Sequence, residues 1–236
     1  MKNLQIVTPS QKCIFDCPYC IAKSHSHQNT FQDIYHQNNT LWKNNLREVL
    51  KKDITIKNII ITGTNEPMQS KDCIKDIIEI AKKERPDITL EIQTRMYKPD
   101  DLLNKLDIVA YSIDNYHLLN KIKAQGKISR YVILLTDSFN EKTLHNILEK
   151  LPKKVTQLTF KVLQTSHGIN KKMDVWIDTH KINSQTIEKL KTDIKNYKGP
   201  ISIFFDQNCM DSTDRYKIFR EDGLLYKDWE DTKGFL

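Results

Sequence analysis

The chain reads as an α/β protein built on a parallel sheet, and three observations predict it. Short β-branched runs alternate with segments of helical periodicity as far as Val162. The isoleucine-rich run Ile56 to Thr62 ends in a polar residue, as a buried parallel strand does where it reaches a loop. Near the C-terminus, Glu221-Asp222-Gly223 separates Tyr216–Arg220 from Leu224–Tyr226, the pattern of a β-hairpin with Asp-Gly in its turn. Six βα units are too few to close an eight-stranded barrel. Right-handed crossovers are expected between successive strands.

Taken in order, Leu4 to Thr8 is the first strand. Residues 21 to 40 are polar and without clear period, so they read as a long loop. Leu41–Lys51 is predicted helical, Ile56–Thr62 a strand, and Lys71–Arg85 a helix stopped by Pro86. Ile88–Gln93 follows as a strand, and Pro99–Leu106 as a short helix with proline near its first turn. The alternation continues with strand Ile108–Ser112, helix Tyr116–Ala124, strand Tyr131–Leu135, helix Glu141–Leu151 and strand Leu158–Val162. Beyond it the pattern loosens: Val175–Ile177 reads as a short extended piece, Ser184–Tyr197 as a helix and Ile201–Phe205 as a strand. One domain over residues 1–236 is expected, with a core to about residue 165 and a covering segment from 166 onward.

Composition narrows the function classes. Hydrophobic residues make up 39% and charged residues 28%, which is ordinary for a soluble globular chain. No apolar run is long enough for a membrane span and no signal-peptide core follows Met1, so a cytoplasmic protein without a membrane partner is expected. The net charge of +7 allows an anionic partner such as nucleic acid. The lysines, however, alternate with acids along amphipathic helices, the pattern of a solvated face, and nucleic-acid binding is not favoured. Five cysteines, an odd number, argue against a disulfide framework. Cys73 shares a helical period with Ile74, Ile77, Ile78 and Ala81 and reads as a core thiol, while Cys209 lies in a polar loop.

The most chemical stretch is Cys13-Ile14-Phe15-Asp16-Cys17-Pro18-Tyr19-Cys20, directly after the first strand. Its three cysteines fall one short of a closed zinc site and one short of the four that normally hold a [4Fe-4S] cluster. A cluster on three thiolates keeps one iron open to a small ligand. The spacing C-x3-C-x2-C, with Tyr19 before the last cysteine, resembles the signature of the radical S-adenosylmethionine (radical SAM) superfamily. That resemblance implies a partial (β/α)6 TIM-like barrel, a [4Fe-4S] cluster on Cys13, Cys17 and Cys20, and S-adenosylmethionine chelated at the open iron. It implies reductive cleavage to a 5'-deoxyadenosyl radical that abstracts hydrogen from substrate.

In a parallel α/β barrel, ligands gather where the strands end, because the βα loops converge there. The second strand leads into Thr64-Asn65-Glu66-Pro67, which occupies the place of the family's Gly-Gly-Glu-Pro motif for the methionine amino group. Asn at position 65 suits left-handed backbone geometry. By the same resemblance, Thr94 and Arg95 after the third strand contact the methionine carboxylate or ribose, Arg95 as a bidentate fork. Ser112 and Asp114 after the fourth face the ribose hydroxyls or the methionine end, although Asp114 also suits a helix N-cap. Arg130 stands where relatives keep a basic residue, Leu163 and Gln164 approach the adenine, and Tyr19 lines the same pocket.

His25, His27 and His36 read as solvated loop side chains rather than ligands. His167, Trp176 and His180 belong to the segment after the sixth strand, which the resemblance implies helps shape the substrate site, and Ser166-His167-Gly168 and the loop 206–214 are candidate substrate contacts. The expected partners are a small-molecule or nucleotide-like substrate and a reductant such as flavodoxin or ferredoxin. A glycyl-radical-enzyme activase or a peptide-modifying enzyme is the alternative. A more distant one is a zinc-binding, non-enzymatic module with His25 or Cys73 as fourth ligand.

Overall fold

The computed structural model describes residues 2–9, 12–24, 31–206, 216–229 and 231–236. Among them runs one nine-stranded sheet: β1 (Lys2–Val7), β2 (Ile56–Thr62), β3 (Thr89–Thr94), β4 (Ile108–Ile113), β5 (Ile128–Leu135), β6 (Val155–Val162), β7 (Ser202–Asp206), β8 (Tyr216–Phe219) and β9 (Leu225–Tyr226). The strand order is β7-β6-β5-β4-β3-β2-β1-β8-β9. Strands β1 to β7 are sequential parallel neighbours, as short βα crossovers dictate. This is the partial barrel expected from the sequence, with its carboxyl strand ends on one rim.

The helices are α1 (Ile34–Gln37), α2 (Asn39–Lys52), α3 (Lys71–Glu84), α4 (Leu144–Glu149), α5 (Lys171–His180) and α6 (Ser184–Asn196). Helix α3 buries Cys73, Ile74, Ile77, Ile78 and Ala81 and turns its lysines and acids outward. Cys73 is therefore a core thiol, and burial pushes its pKa well up. Each fully buried aliphatic side chain of this kind contributes about 1.5–3 kcal/mol. Helix α2 starts where the Asn38 side chain accepts from the Leu41 N–H, and it buries Trp42, Leu46, Val49 and Leu50.

The C-terminal hairpin extends the sheet rather than standing apart. Strand β8 pairs in parallel with β1 and in antiparallel with β9. Gly223 makes the turn with φ 74°, a conformation glycine adopts without penalty. The hairpin is pinned to α2: Trp42 Nε1 donates to Arg220 O at 3.2 Å, and Asn45 Nδ2 donates to Gly223 O at 3.0 Å. The Trp42 ring meets Phe219 edge-on at 5.1 Å.

Four expected elements differ. Val175–Ile177 is not extended; it is the middle of α5, whose N-cap Asn170 accepts from the Met173 N–H. Only Met173 and Ile177 of this helix are buried, too narrow an apolar stripe to announce a helix. Tyr116–Ala124 forms only a 3-10 turn over Tyr116–Leu118, capped by the Asn115 side chain on the His117 N–H. Pro99–Leu106 is likewise a 3-10 helix, Asp101–Lys105, capped by the Asp100 side chain. The stretch 21–40 is not all loop, for it holds a 3-10 turn at Ile21–Ser24, α1 and the start of α2.

Candidate active site

The cysteine loop leaves β1 at the carboxyl rim and is fastened to the neighbouring βα turn by one side chain. Gln69 Nε2 donates to Lys12 O at 3.0 Å, and Gln69 Oε1 accepts from Ile14 N at 2.9 Å. Both amide functions of Gln69 are thereby engaged by the backbone that flanks Cys13. On the other side, Lys23 Nζ donates to Cys17 O at 2.9 Å.

Each of the three sulfurs is met by an N–H donor. Phe15 N donates to Cys13 Sγ at 3.4 Å, Arg95 Nη1 donates to Cys17 Sγ at 3.0 Å, and the Ala22 backbone is hydrogen-bonded to Cys20. Donors of this kind favour thiolate over thiol. Burial pushes the Cys20 thiol up, opposed by the Ala22 backbone hydrogen bond.

Arg95, the first residue after β3, is the hub of the rim. Besides Cys17, its Nη1 meets the Tyr19 hydroxyl, and its Nη2 donates to Asp114 Oδ2 at 2.7 Å. The Tyr19 hydroxyl donates to that same carboxylate oxygen at 2.7 Å. Burial, reinforced by Asp114, keeps the Tyr19 phenol above its ordinary range and protonated. The guanidinium also lies over the rings of Phe15 and Tyr19, 5.8 and 5.7 Å from their centroids. One cation thus ties the cysteine loop to the ends of β3 and β4.

The turn after β2 is built around a buried carboxylate. Glu66, 4% exposed, accepts from Met68 N at 3.1 Å and Arg95 N at 2.8 Å, and from the Thr94 hydroxyl. Burial raises its pKa, opposed by those three hydrogen bonds. Asn65 does not use a left-handed backbone, since the positive-φ non-glycine residues among those described are Glu141 and His167. Its side chain instead donates to Pro9 O at 2.8 Å and accepts from Thr8 Oγ1 at 3.3 Å, joining the exits of β1 and β2. Gly63 permits that approach: a Cβ there would meet Thr8 Oγ1 at 2.8 Å. Thr64 lies half-buried in the same turn.

Tyr19, Glu66, Thr94, Arg95 and Asp114 are therefore brought together with the cysteines. Ser112 joins through its backbone, its carbonyl accepting from Tyr97 OH at 2.6 Å. Leu163 and Gln164 follow β6 on the same rim, both half-buried. Arg130 is not brought to the rim. It does not precede the fifth strand but is the third residue of β5, where Nη1 donates to both Glu91 oxygens at 2.9 Å and Nε donates to Gln157 Oε1 at 2.8 Å. His36 is occupied by Asp33 at 2.6 Å; His25, His27, Cys209 and most of the loop 206–214 lie outside the described residues.

Helix α5 covers one side of the loop. The Trp176 ring lies 5.3 Å from that of Tyr19, and Asn170 Nδ2 donates to Lys23 O at 3.5 Å. Asp174 accepts from Ser166 N at 2.5 Å and Gly168 N at 2.8 Å, folding the preceding loop tightly. His180 stacks on Trp176, their centroids 4.3 Å apart. The fastening residue Gln69 and the Tyr97 hydroxyl belong to no motif, and nothing in their sequence surroundings marks them.

This donor set fits an iron-sulfur cluster. Three cysteine sulfurs in one loop, each met by an N–H, have the chemistry of thiolate ligands to iron. The zinc module finds no support from Cys73, which belongs to the core under α3. The half-buried polar ends of β2, β3 and β4 beside the loop suit the amino acid and ribose parts of S-adenosylmethionine.

A family model described as the Radical SAM superfamily matches residues 7–196. A solved structure of native anSMEcpe with bound AdoMet superposes with a TM-score of 0.61 at 15% identity, covering 99% of this chain and 76% of that one. A histidine-tagged form of anSMEcpe with bound AdoMet gives 0.46 at 15% identity over 69% of this chain and 50% of that one, so the matched part spans half the length of that protein. BtrN in complex with AdoMet and 2-DOIA gives 0.38 at 9% identity, covering 98% of this chain and 74% of that one. At 15% identity the likeness to native anSMEcpe speaks for the fold alone. No curated protein matches the chain by sequence. With four-fifths of its length inside the family model, the chain belongs to the Radical SAM superfamily.

Proposed function

We propose that this protein cleaves S-adenosylmethionine reductively at a [4Fe-4S] cluster held by Cys13, Cys17 and Cys20 and uses the resulting 5'-deoxyadenosyl radical on a small-molecule or nucleotide-like substrate. Held there by Cys13, Cys17 and Cys20, the cluster would supply the electron for reductive cleavage of the sulfonium. The supporting observation is the position of Arg95, whose guanidinium touches a cluster-ligand sulfur and the β4 carboxylate at once.

The chain's own residues then position and exclude. Arg95 offers the methionine carboxylate a cation beside the cluster loop. The Glu66 carboxylate is used up inside the protein, so it shapes the β2 turn and presents backbone groups to the methionine amino group. Asp114 and the Ser112 hydroxyl stand ready for ribose hydroxyls, with Leu163 and Gln164 along the adenine. Tyr19 and Trp176 wall the site on the α5 side and keep water from a reactive carbon centre. The cofactor carries the difficult chemistry, and the protein supplies position and dryness.

The segment from residue 166 onward sets α5 against the cysteine loop, a wall that favours a small substrate over a protein one. The test is to reduce the reconstituted protein with dithionite, add S-adenosylmethionine with candidate metabolites, and measure 5'-deoxyadenosine. Turnover stimulated by a metabolite or nucleotide is expected. Turnover only in the presence of a protein or peptide partner would reject this substrate class in favour of a glycyl-radical activase or peptide-modifying enzyme.

A further inference from the structure

Away from the cysteine rim, the segment 120–124 that precedes β5 and the turn 149–154 that precedes β6 border a cavity of about 570 Å³, within the size range of small-ligand sites. Because both segments come before their strands, the cavity lies at the amino ends of β5 and β6, the opposite end of the sheet from the cysteine loop. We infer that it binds a compact polyphosphate anion, through the diphosphate group common to inorganic pyrophosphate and nucleotides, and that this site is separate from the chemistry at the rim.

Charge selects the ligand. Lys123, Lys150, Lys153 and Lys154 line the cavity against a single acid, Glu149, so three of the four positive charges stay uncompensated even with Glu149 ionised. Glu149 is itself engaged by His145 Nε2 at 3.2 Å. None of the four ammonium groups has an ion-pair partner among the described residues; that of Lys150 lies 4.2 Å from the centroid of the Tyr116 ring. The backbone adds donors. The buried Tyr131 and Tyr111 hydroxyls donate to Ile122 O at 3.3 Å and Lys123 O at 3.5 Å, turning both carbonyls inward. In a trans peptide the N–H points opposite to the C=O, so the Lys123 and Ala124 amides face away from the core, on the cavity side. Neither donates to an acceptor among the described residues. Across the cavity, Val155 N closes a turn on Pro152 O at 2.9 Å, and Lys153 and Lys154 are its central pair, their amides likewise without an acceptor among the described residues. Successive outward amides beside lysines make an anion-binding concavity. No aromatic side chain lines it for a base to stack on, and a nucleic-acid backbone asks for a longer basic track than one cavity.

The test is calorimetric titration of the cluster-loaded protein with inorganic pyrophosphate and then with ADP. One saturable site per chain is expected, weakened about tenfold or more in Lys153→Glu combined with Lys154→Glu. It is kept in Lys189→Glu combined with Lys195→Glu, which changes the net charge equally on exposed positions of α6. Pyrophosphate should also raise the melting temperature of the parent and not of the cavity variant. Matching affinities for pyrophosphate and ADP would name the free anion as ligand and a tighter hold on ADP a nucleotide, both in support of the site. Absence of saturable binding in the parent overturns the inference, as does an equal loss in the α6 variant, which would reduce the attraction to net charge alone. Displacement of pyrophosphate by a duplex oligonucleotide at lower concentration overturns it too, giving the face to nucleic acid. Formation of 5'-deoxyadenosine, measured alongside, reports on the rim alone, so the two readings stand or fall separately.

Discussion

The guanidinium of Arg95 donates to Cys17 Sγ at 3.0 Å, joining the end of β3 to the middle of the cysteine loop across 78 residues of sequence. Asp114 fixes the other arm of the fork at 2.7 Å, so the geometry is held from two sides. Hydrogen bonds to cluster sulfurs raise reduction potential by favouring the more negative, reduced state. Arg95→Leu is therefore expected to retain its iron but to lower the midpoint potential. A lost charged hydrogen bond of about 1.5–3 kcal/mol corresponds to roughly 60–130 mV for one electron. Potentiometric titration followed by electron paramagnetic resonance checks this, and an unchanged midpoint would refute the role of Arg95.

Gly63 and Thr8 set the separation between the exits of β1 and β2. A methyl at position 63 meets Thr8 Oγ1 at 2.8 Å, nearer than ordinary van der Waals contact. Gly63→Ala should cost about 1–3 kcal/mol by overpacking and weaken S-adenosylmethionine binding. Adding Thr8→Ala removes the offending oxygen and should return part of the loss. Denaturant unfolding of the three variants gives the coupling directly; strict additivity would contradict the contact.

Glu66 carries a pH signature. Burial holds its folded pKa above the ordinary carboxylate value despite three hydrogen bonds. The native state then binds this proton more tightly than the unfolded chain, so stability from this group is full below the unfolded value of about 4.3 and declines as pH rises through the folded one. Glu66→Gln should flatten that decline and cost about 1–3 kcal/mol, because an amide N–H now faces an N–H donor. Urea unfolding across acidic to neutral pH tests both parts, and a slope equal to the parent's would tell against them.

The attachment of β8 is expected to be acid-sensitive. Burial alone would raise the Asp53 carboxyl, but hydrogen bonds from Thr55 and Lys217 hold it at about 2. Lys217 Nζ lies 2.9 Å from Asp53 Oδ2, linking the end of α2 to β8. For a depressed acid, stability is present above the unfolded value of about 3.9 and lost as pH falls through the folded one. Lys217→Met should diminish the acid loss between about pH 4 and 2. Hydrogen exchange in β8 across that range measures it, and a variant with the parent's acid profile would disprove the link.

What the sequence discloses is what local chemistry writes. The alternating runs announced β1 to β6 because each strand and helix carries its own period. The cysteine spacing announced the loop, and polar residues at successive strand ends announced Glu66, Arg95 and Asp114 on one rim. The parallel pairing of β8 with β1 was hidden, since no local pattern encodes a partner more than two hundred residues away. Helix α5 was hidden by a narrow apolar stripe that includes β-branched and aromatic neighbours. Gln69 was hidden because a backbone clamp needs only an amide in the right place. Arg130 reads by resemblance as a cofactor residue just before the fifth strand, yet the register of β5 sets it within that strand, level with Ala110 and Gln157.

The central claim is that three thiolates of one loop hold a cluster with an iron open to S-adenosylmethionine, and one comparison tests it most directly. The parent protein and Cys17→Ala are reconstituted anaerobically, reduced, and examined by iron analysis and electron paramagnetic resonance with and without S-adenosylmethionine. The account predicts a four-iron signal in the parent that shifts when S-adenosylmethionine is added, and loss of that signal in the variant. A parent that assembles no such cluster, or one whose signal is indifferent to S-adenosylmethionine, would contradict it.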